Sequence, residues 1–345
     1  MSYRIGIVLN FKWAEKKKDE LLNINSTKKP WLKGARKDLT ISRESKTCVP
    51  VDVALGLYIE THYPEVLVDY IKPSEISVAR FKQNNIVFLM QYDLLEAFHL
   101  DKNNFGVFKK TLEVCTNVYP PYIYQKFINN KYTYYEYLKN KGLPIVPTIC
   151  LSDYNIYKQN PEKYIGNFKV PWNSFIIKPI YGQESFGFAK FLDGDKRKLK
   201  GYLQKFFTKY KSLIVQEYIP GFDKNNLEAR LYYIGGRYLF CMTTSGLTHT
   251  TTMRETRPIQ EGGTFRITDS DWEFIRKLGD KVLANLPKIN GENSIITRID
   301  IGKGLPGVPG GFFVNEVEFV PAFFIEKHNE PVINLIGDNL IKLLK

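Results

Sequence analysis

Two short segments near the C-terminus constrain this chain more than any other part of it. Ser294 to Ile301 and Phe312 to Phe319 each alternate apolar and polar residues, and Gly302 to Gly311 between them is a glycine- and proline-rich connection. The period predicts two adjacent strands. Side chains alternate faces along a strand, so Arg298 and Asp300 share one face of the first, and Glu316 and Glu318 share one face of the second. Three carboxylates and a guanidinium then converge. Hard Mg2+ accepts carboxylate oxygens together with nucleotide phosphates and water, which makes Asp300, Glu316 and Glu318 candidate ligands for Mg2+ or Mn2+. An isolated Glu-x-Glu would read equally well as a solvated hairpin face. The apolar neighbours of these residues argue for burial.

The rest of the composition permits an enzyme without demanding one. At 345 residues the chain is long enough for two or three packed subdomains. No window offers the ~18 consecutive apolar residues of a membrane helix, and the run Ile5 to Leu9 is too short for a secretory signal, so a cytoplasmic location is expected. Cys48, Cys115, Cys150 and Cys241 are scattered without a C-x-x-C pair, which argues against both a zinc site and a disulfide framework. The net charge of +13 favours an anionic partner. Lysines and arginines are dense between Lys12 and Lys46, a segment that reads either as an anion-binding surface or as a solvated, flexible insert. No zinc finger, RNP-like aromatic motif or helix-turn-helix accompanies this charge, so nucleic acid is not the expected partner.

Along the chain, Arg4 to Leu9 and Ile86 to Met90 read as buried strands of a parallel sheet, with helices expected over Val51 to Tyr63 and Pro73 to Phe81. Asp93 to Glu96 reads as an acidic helix start or as cleft lining. Tyr132 to Asn140 is expected as a helix that Gly142 and Pro144 terminate. Further strands are expected over Ser174 to Lys178, Ser212 to Tyr218, Ala229 to Ile234 and Tyr238 to Thr243, the last two around the turn Gly235-Gly236. Helices and strands that alternate and then give way to hairpins indicate an α/β unit followed by α+β layers.

A second constellation precedes the carboxylates. Phe175 to Lys178 is an apolar strand ending in a lysine, and Gly182 and Gly187 bracket a loop containing Ser185, whose backbone N–H groups could approach phosphates closely. Ile214 to Gly221 is a strand running into a bend, where adenine could meet backbone groups. Glu228 and Arg230 then share a face of the next strand.

In this order the elements resemble the ATP-grasp superfamily, over residues from about Asn129 to Pro321. The resemblance implies an N-terminal α/β substrate-side domain over residues 1–115, followed by two ATP-grasp α+β subdomains, a central one over 116–212 and a C-terminal one with the metal site over 213–345. It places the two ATP lysines at Lys131 and Lys178, and the phosphate loop at Gly182 through Gly187. The adenine hinge falls on Gln216, Glu217, Tyr218 and Ile219, with Asp223 or Glu228 at the ribose. Arg298 becomes a phosphate-contacting arginine beside the metal ligand Asp300, Glu316 the bridging carboxylate, and Arg230 or Arg254 a cation for the forming acyl-phosphate. One departure stands out: Glu318 occupies the place where the superfamily commonly has asparagine.

The function implied is an ATP- and Mg2+-dependent carboxylate–amine ligase working through an acyl-phosphate. Its substrate would be an anionic small molecule or peptide, and a homodimer remains open. Two alternatives stand beside it. One is an ATP-grasp kinase acting on a hydroxyl of an anionic substrate such as an inositol phosphate, and the other is a non-catalytic nucleotide-binding protein.

Overall fold

The computed structural model describes residues 3–10, 21–90, 105–181, 187–192, 196–220, 222, 227–245, 253–255, 268–320 and 332–345. Strand β1 (Tyr3–Val8) opens the chain, and β2 (Leu21–Asn23), β3 (Ile41–Arg43) and β4 (Lys46–Pro50) form a small antiparallel sheet in the order β2-β4-β3. Helix α1 (Val51–His62), β5 (Val66–Ile71), α2 (Val78–Lys82), β6 (Ile86–Phe88), α3 (Phe105–Val114) and β7 (Val118–Tyr119) follow. Their strands make a four-stranded sheet in the order β5-β1-β6-β7, every pairing parallel. Parallel sheets are covered on both faces, and the buried run Ile5, Ile7, Val8 and Leu9 fits that setting. Helix α1 is buried along its length from Val51 to Ile59, as a helix that is apolar all round must be. Asp52 in its first turn, itself fully buried, accepts from the backbone N–H of Asn10 at 2.7 Å and so ties the end of β1 to the helix start.

Two expectations need amendment here. The basic segment folds from Leu21 onward around the small sheet, which buries Leu21, Leu22, Cys48 and Val49; Lys28, Lys33, Lys37 and Lys46 are exposed and Lys29 is buried, while Lys12 to Lys18 lie outside the described residues. The helix expected over Pro73 to Phe81 divides into a 3-10 turn at Pro73–Glu75 and helix α2, because the Ser77 side chain accepts from the Arg80 N–H and starts a new helix.

The middle of the chain carries α4 (Tyr122–Asn129), α5 (Lys131–Asn140), β8 (Thr148–Leu151), α6 (Tyr154–Gln159), α7 (Pro161–Asn167), β9 (Phe175–Pro179), β10 (Ala189–Phe191), α8 (Lys196–Tyr202), α9 (Thr208–Tyr210) and β11 (Leu213–Glu217). Its strands form an antiparallel sheet in the order β10-β9-β11-β8 over an aromatic-rich core that includes Phe175, Phe191, Phe207 and Tyr157. Helix α5 ends as its sequence predicts. Gly142 takes φ +71°, where a Cβ would strain, and Leu143 N–H returns to the Leu138 carbonyl at 3.1 Å.

The last third contains β12 (Leu227–Ile234), β13 (Arg237–Ser245), β14 (Met253–Glu255), α10 (Asp269–Asn285), β15 (Ile296–Lys303), β16 (Phe312–Glu318) and α11 (Val332–Lys342). The strands form a five-stranded antiparallel sheet in the order β14-β13-β12-β15-β16. Helix α11 returns to the first unit, where Gly337 packs on Tyr58 and Asp338 accepts from the hydroxyls of Tyr58 at 2.8 Å and Tyr63 at 2.7 Å. Among the described residues no helix is long and apolar enough to cross a membrane.

Asp338 holds two part-buried tyrosine hydroxyls with one carboxylate oxygen. Its replacement by alanine leaves both without their acceptor, so Asp338→Ala is expected to lower unfolding stability by about 2 kcal/mol. Urea denaturation measures this; wild-type stability in the variant would show that the contact contributes nothing.

Candidate functional site

The five-stranded sheet concentrates charge on one face. In the antiparallel register Arg298 stands opposite Glu318 and Asp300 opposite Glu316 across β15 and β16, while Arg230 stands opposite Asp300 across β12 and β15. Cross-strand partners point the same way, so the residues paired in sequence by alternation meet as one cluster. Arg298 is buried, and its Nε and Nη2 donate to the two oxygens of Asp300 at 2.8 Å each. Its Nη1 lies 2.8 Å from Glu318, and its Nη2 3.9 Å from Glu316. Arg230 donates to Glu228 through Nε at 3.1 Å and Nη2 at 3.0 Å, with Asp300 3.6 Å away.

One irregularity shapes the cluster. Val314 pairs with Ile301 and Glu316 with Asp300, which leaves Asn315 as an extra residue on β16. Such a bulge lets two successive residues face the same side. Asn315 therefore reaches the site that strict alternation would deny it, and its side-chain amide donates to Glu228 at 2.5 Å.

Helix α5 supplies one cation from the other side, Lys131, and β9 supplies Lys178. Asn130 caps the helix through the Thr133 N–H at 3.0 Å, and the Lys131 N–H donates to the Ile180 carbonyl at 3.2 Å, which joins the helix start to the end of β9. The Lys131 ammonium forms an ion pair with Glu316. One turn on, Tyr135 donates to the Asn315 carbonyl at 2.5 Å and accepts from the Lys178 ammonium at 3.2 Å. Tyr135 is a site neighbour that the sequence reading did not single out. The signal that marks it is its i+4 spacing from Lys131, which puts both on one helix face.

Burial drives the ionisation of these groups, and their neighbours decide its outcome. Lys178 is pulled down to about 8 by burial and then by the Lys131 charge. Burial raises the Glu316 carboxyl, but Lys131, Arg298 and Lys178 more than reverse this and hold it at about 2. Glu318 stays high, at about 7, because burial together with Glu316 and Asp300 outweighs Arg298. Asp300 is pushed by burial to about 6 against the pull of Arg298 and Arg230. Burial disfavours the Arg298 cation, yet Asp300 and Glu318 carry its pKa well above the usual arginine range.

The residues expected at the adenine hinge lie at the end of β11. Gln216 is buried and donates to the Thr148 hydroxyl at 2.8 Å, while the N–H groups of Glu217 and Tyr218 donate to the Pro147 and Ser174 carbonyls at 3.0 and 3.2 Å. The Ile219 carbonyl accepts from Phe222 N–H at 3.1 Å, and Phe222 packs on Phe313 in the next sheet. Gly187 takes φ +73° against Pro179, and its carbonyl accepts from the Tyr202 hydroxyl at 2.5 Å. Gly182, Ser185, Asp223, Pro321 and the Asp93 to Glu96 segment lie outside the described residues, as does the Arg254 side chain.

As donors, three carboxylates on one sheet face fit a hard divalent cation. In the present arrangement, however, Arg298 and Lys131 take the oxygens such an ion would need. Among the described residues no three acidic, histidine or cysteine side chains surround a common point. Entry of a metal therefore requires Lys131 or Arg298 to release oxygens.

Solved structures share this architecture over nearly the whole of both chains. D-cycloserine synthetase DcsG superposes at a TM-score of 0.62 and 14% identity, covering 99% of this chain and 100% of its own. The fold is that of the ATP-grasp ligases. D-alanine–D-alanine ligase from Bacillus anthracis complexed with ATP matches at 0.58 and 12% identity, covering 99% of this chain and 98% of its own. The ATP-grasp ligase PsnB, complexed with a phosphomimetic variant of its minimal precursor, Mg and ADP, matches at 0.53 and 14% identity over 100% of both chains. At these identities the likeness to ATP-grasp ligases is one of fold. No family model and no curated protein matches the sequence.

A group whose folded pKa is raised contributes stability at low pH that is lost as pH rises through that value. With Glu318 raised from 4.5 to about 7, the ligand-free protein is expected to lose about 1 kcal/mol between pH 6 and pH 8 on this account alone. Subtracting the profile of Glu318→Gln from that of the wild type isolates the effect; parallel profiles would show that Glu318 ionises normally.

Proposed function

We propose that the chain is an ATP-dependent ligase that joins a carboxylate to an amine. The observation that carries this reading is the meeting, within an ATP-grasp fold, of Lys131, Lys178 and Arg298 with Asp300, Glu316 and Glu318 on one sheet face. The neighbour from Bacillus anthracis is described with ATP and PsnB with Mg and ADP, which supports the same ligands here.

Phosphoryl transfer asks a protein for charge neutralisation and alignment more than for a covalent catalyst. In this reading Lys178 and Lys131 face the phosphates, and the hinge from Gln216 to Ile219 borders the base. Glu228 holds the ribose hydroxyls, and Gly182 to Gly187 covers the phosphates. Arg298, with Arg230 or Arg254, offsets charge as the γ-phosphoryl group passes to a substrate carboxylate oxygen. ADP leaves, the amine attacks the acyl carbon, phosphate departs, and the amine gives up a proton to form the amide. Asp300, Glu316 and Glu318 would hold Mg2+ or Mn2+, which shields the phosphate charge. As binding begins, Glu318 and Lys131 must give up their present partners to ion and phosphate.

Phosphate release with pooled carboxylates and amines, against a parallel pool of inositol phosphates, tests the reading. Release that needs both a carboxylate and an amine supports it. Phosphorylation of a hydroxyl would assign a kinase instead, and nucleotide binding with no turnover would leave a binding protein. Lys178→Ala is expected to weaken ATP binding and nearly abolish turnover while keeping the fold, as calorimetry and circular dichroism would register. Among the carboxylates, Glu318→Asn should loosen metal binding with activity partly retained, Glu318→Ala should do worse, and Glu316→Ala worst of all. An unchanged Mg2+ dependence in both Glu318 variants would remove that residue from the metal site.

A further inference from the structure

We infer that Tyr135 is a positioning residue that sets the direction in which Lys178 presents its charge, an inference that rests on the nucleotide reading above. The tyrosine is 1% exposed, and its ring lies under the lysine with the ammonium 5.5 Å from the ring centroid. Its hydroxyl has one hydrogen, and the Asn315 carbonyl, which can only accept, takes that hydrogen at 2.5 Å. The hydroxyl can therefore meet Lys178 only as an acceptor, which is the observed contact at 3.2 Å. The phenol also stays protonated, since burial and the Glu316 charge both raise its pKa.

Polarity is thereby passed from β16 through Tyr135 to β9. An ammonium has three N–H donors, and committing one to Tyr135 leaves two in defined directions for other oxygens. The phosphate lysine on β9 and the metal strand β16 thus meet at this one atom. Asn315 is the bulge residue, and its amide holds Glu228 while its carbonyl holds Tyr135. A lysine is a flexible point charge with costly rotamer freedom; restraining it before the ligand arrives lowers the ordering cost of binding.

Tyr135→Phe tests this, because phenylalanine keeps the ring, its packing and its contact with the ammonium while deleting the hydroxyl. Calorimetry with Mg2+ and ATP, and separately with adenosine, is run on wild type, Tyr135→Phe, Lys178→Ala and the double variant. ATP affinity in Tyr135→Phe is expected to fall about tenfold with adenosine affinity unchanged, since Lys178 addresses phosphates and not the nucleoside. The double variant should match Lys178→Ala, because the hydroxyl acts through the lysine. Equal losses for ATP and adenosine, or additive losses in the double variant, would assign Tyr135 a purely structural role and overturn the inference. Wild-type ATP affinity in Tyr135→Phe would do the same. If the wild-type protein itself binds no ATP, the nucleotide reading fails first and this inference falls with it.

Discussion

Everything at the site depends on one buried guanidinium. Arg298 has too little solvent contact to keep its charge unaided, and Asp300 and Glu318 supply the compensation. Removing a single member of such a buried set strands the charge of the others, so the cluster holds together or fails together. That dependence explains why Glu318 is tolerated in a position dense with carboxylates. It shares Arg298 with Asp300 and, with its pKa pushed to about 7, need not be fully ionised.

The ligand-free charges are thus balanced from within. Lys131 reaches across from α5 to Glu316, and Arg298 bridges β15 to β16, so the cations and anions that the proposed function assigns to phosphate and metal neutralise each other. A triphosphate alone would compete with the carboxylates for the same cations, and a metal alone would compete with those cations for the carboxylates. Binding both together exchanges each internal pair for an external one at little electrostatic cost, which is the physical reason to expect the two ligands to cooperate.

Much of this was legible in the residues. The alternation in β15 and β16 placed Arg298, Asp300, Glu316 and Glu318 on shared faces, because charged and apolar side chains alternate along the stretches that carry them. The Gly142 stop of α5 was equally readable, since only a glycine adopts that backbone without strain. Asn315 was not, because a bulge breaks the period on which the reading relied. Tyr135 was hidden for a different reason: its ring packs as any core aromatic does, and only its hydroxyl engages the site. The sheet at Leu21 to Pro50 was obscured by short strands whose apolar residues are spaced among lysines, a pattern that a solvated segment shares.

The arrangement makes a definite structural demand. A crystal structure with Mg2+ and a non-hydrolysable ATP analogue should show phosphate oxygens at Lys178 and Arg298, the Arg298 to Glu318 ion pair opened, and the ion held by Asp300, Glu316 and Glu318. Nucleotide bound elsewhere, or bound with those internal pairs still closed, would contradict the account.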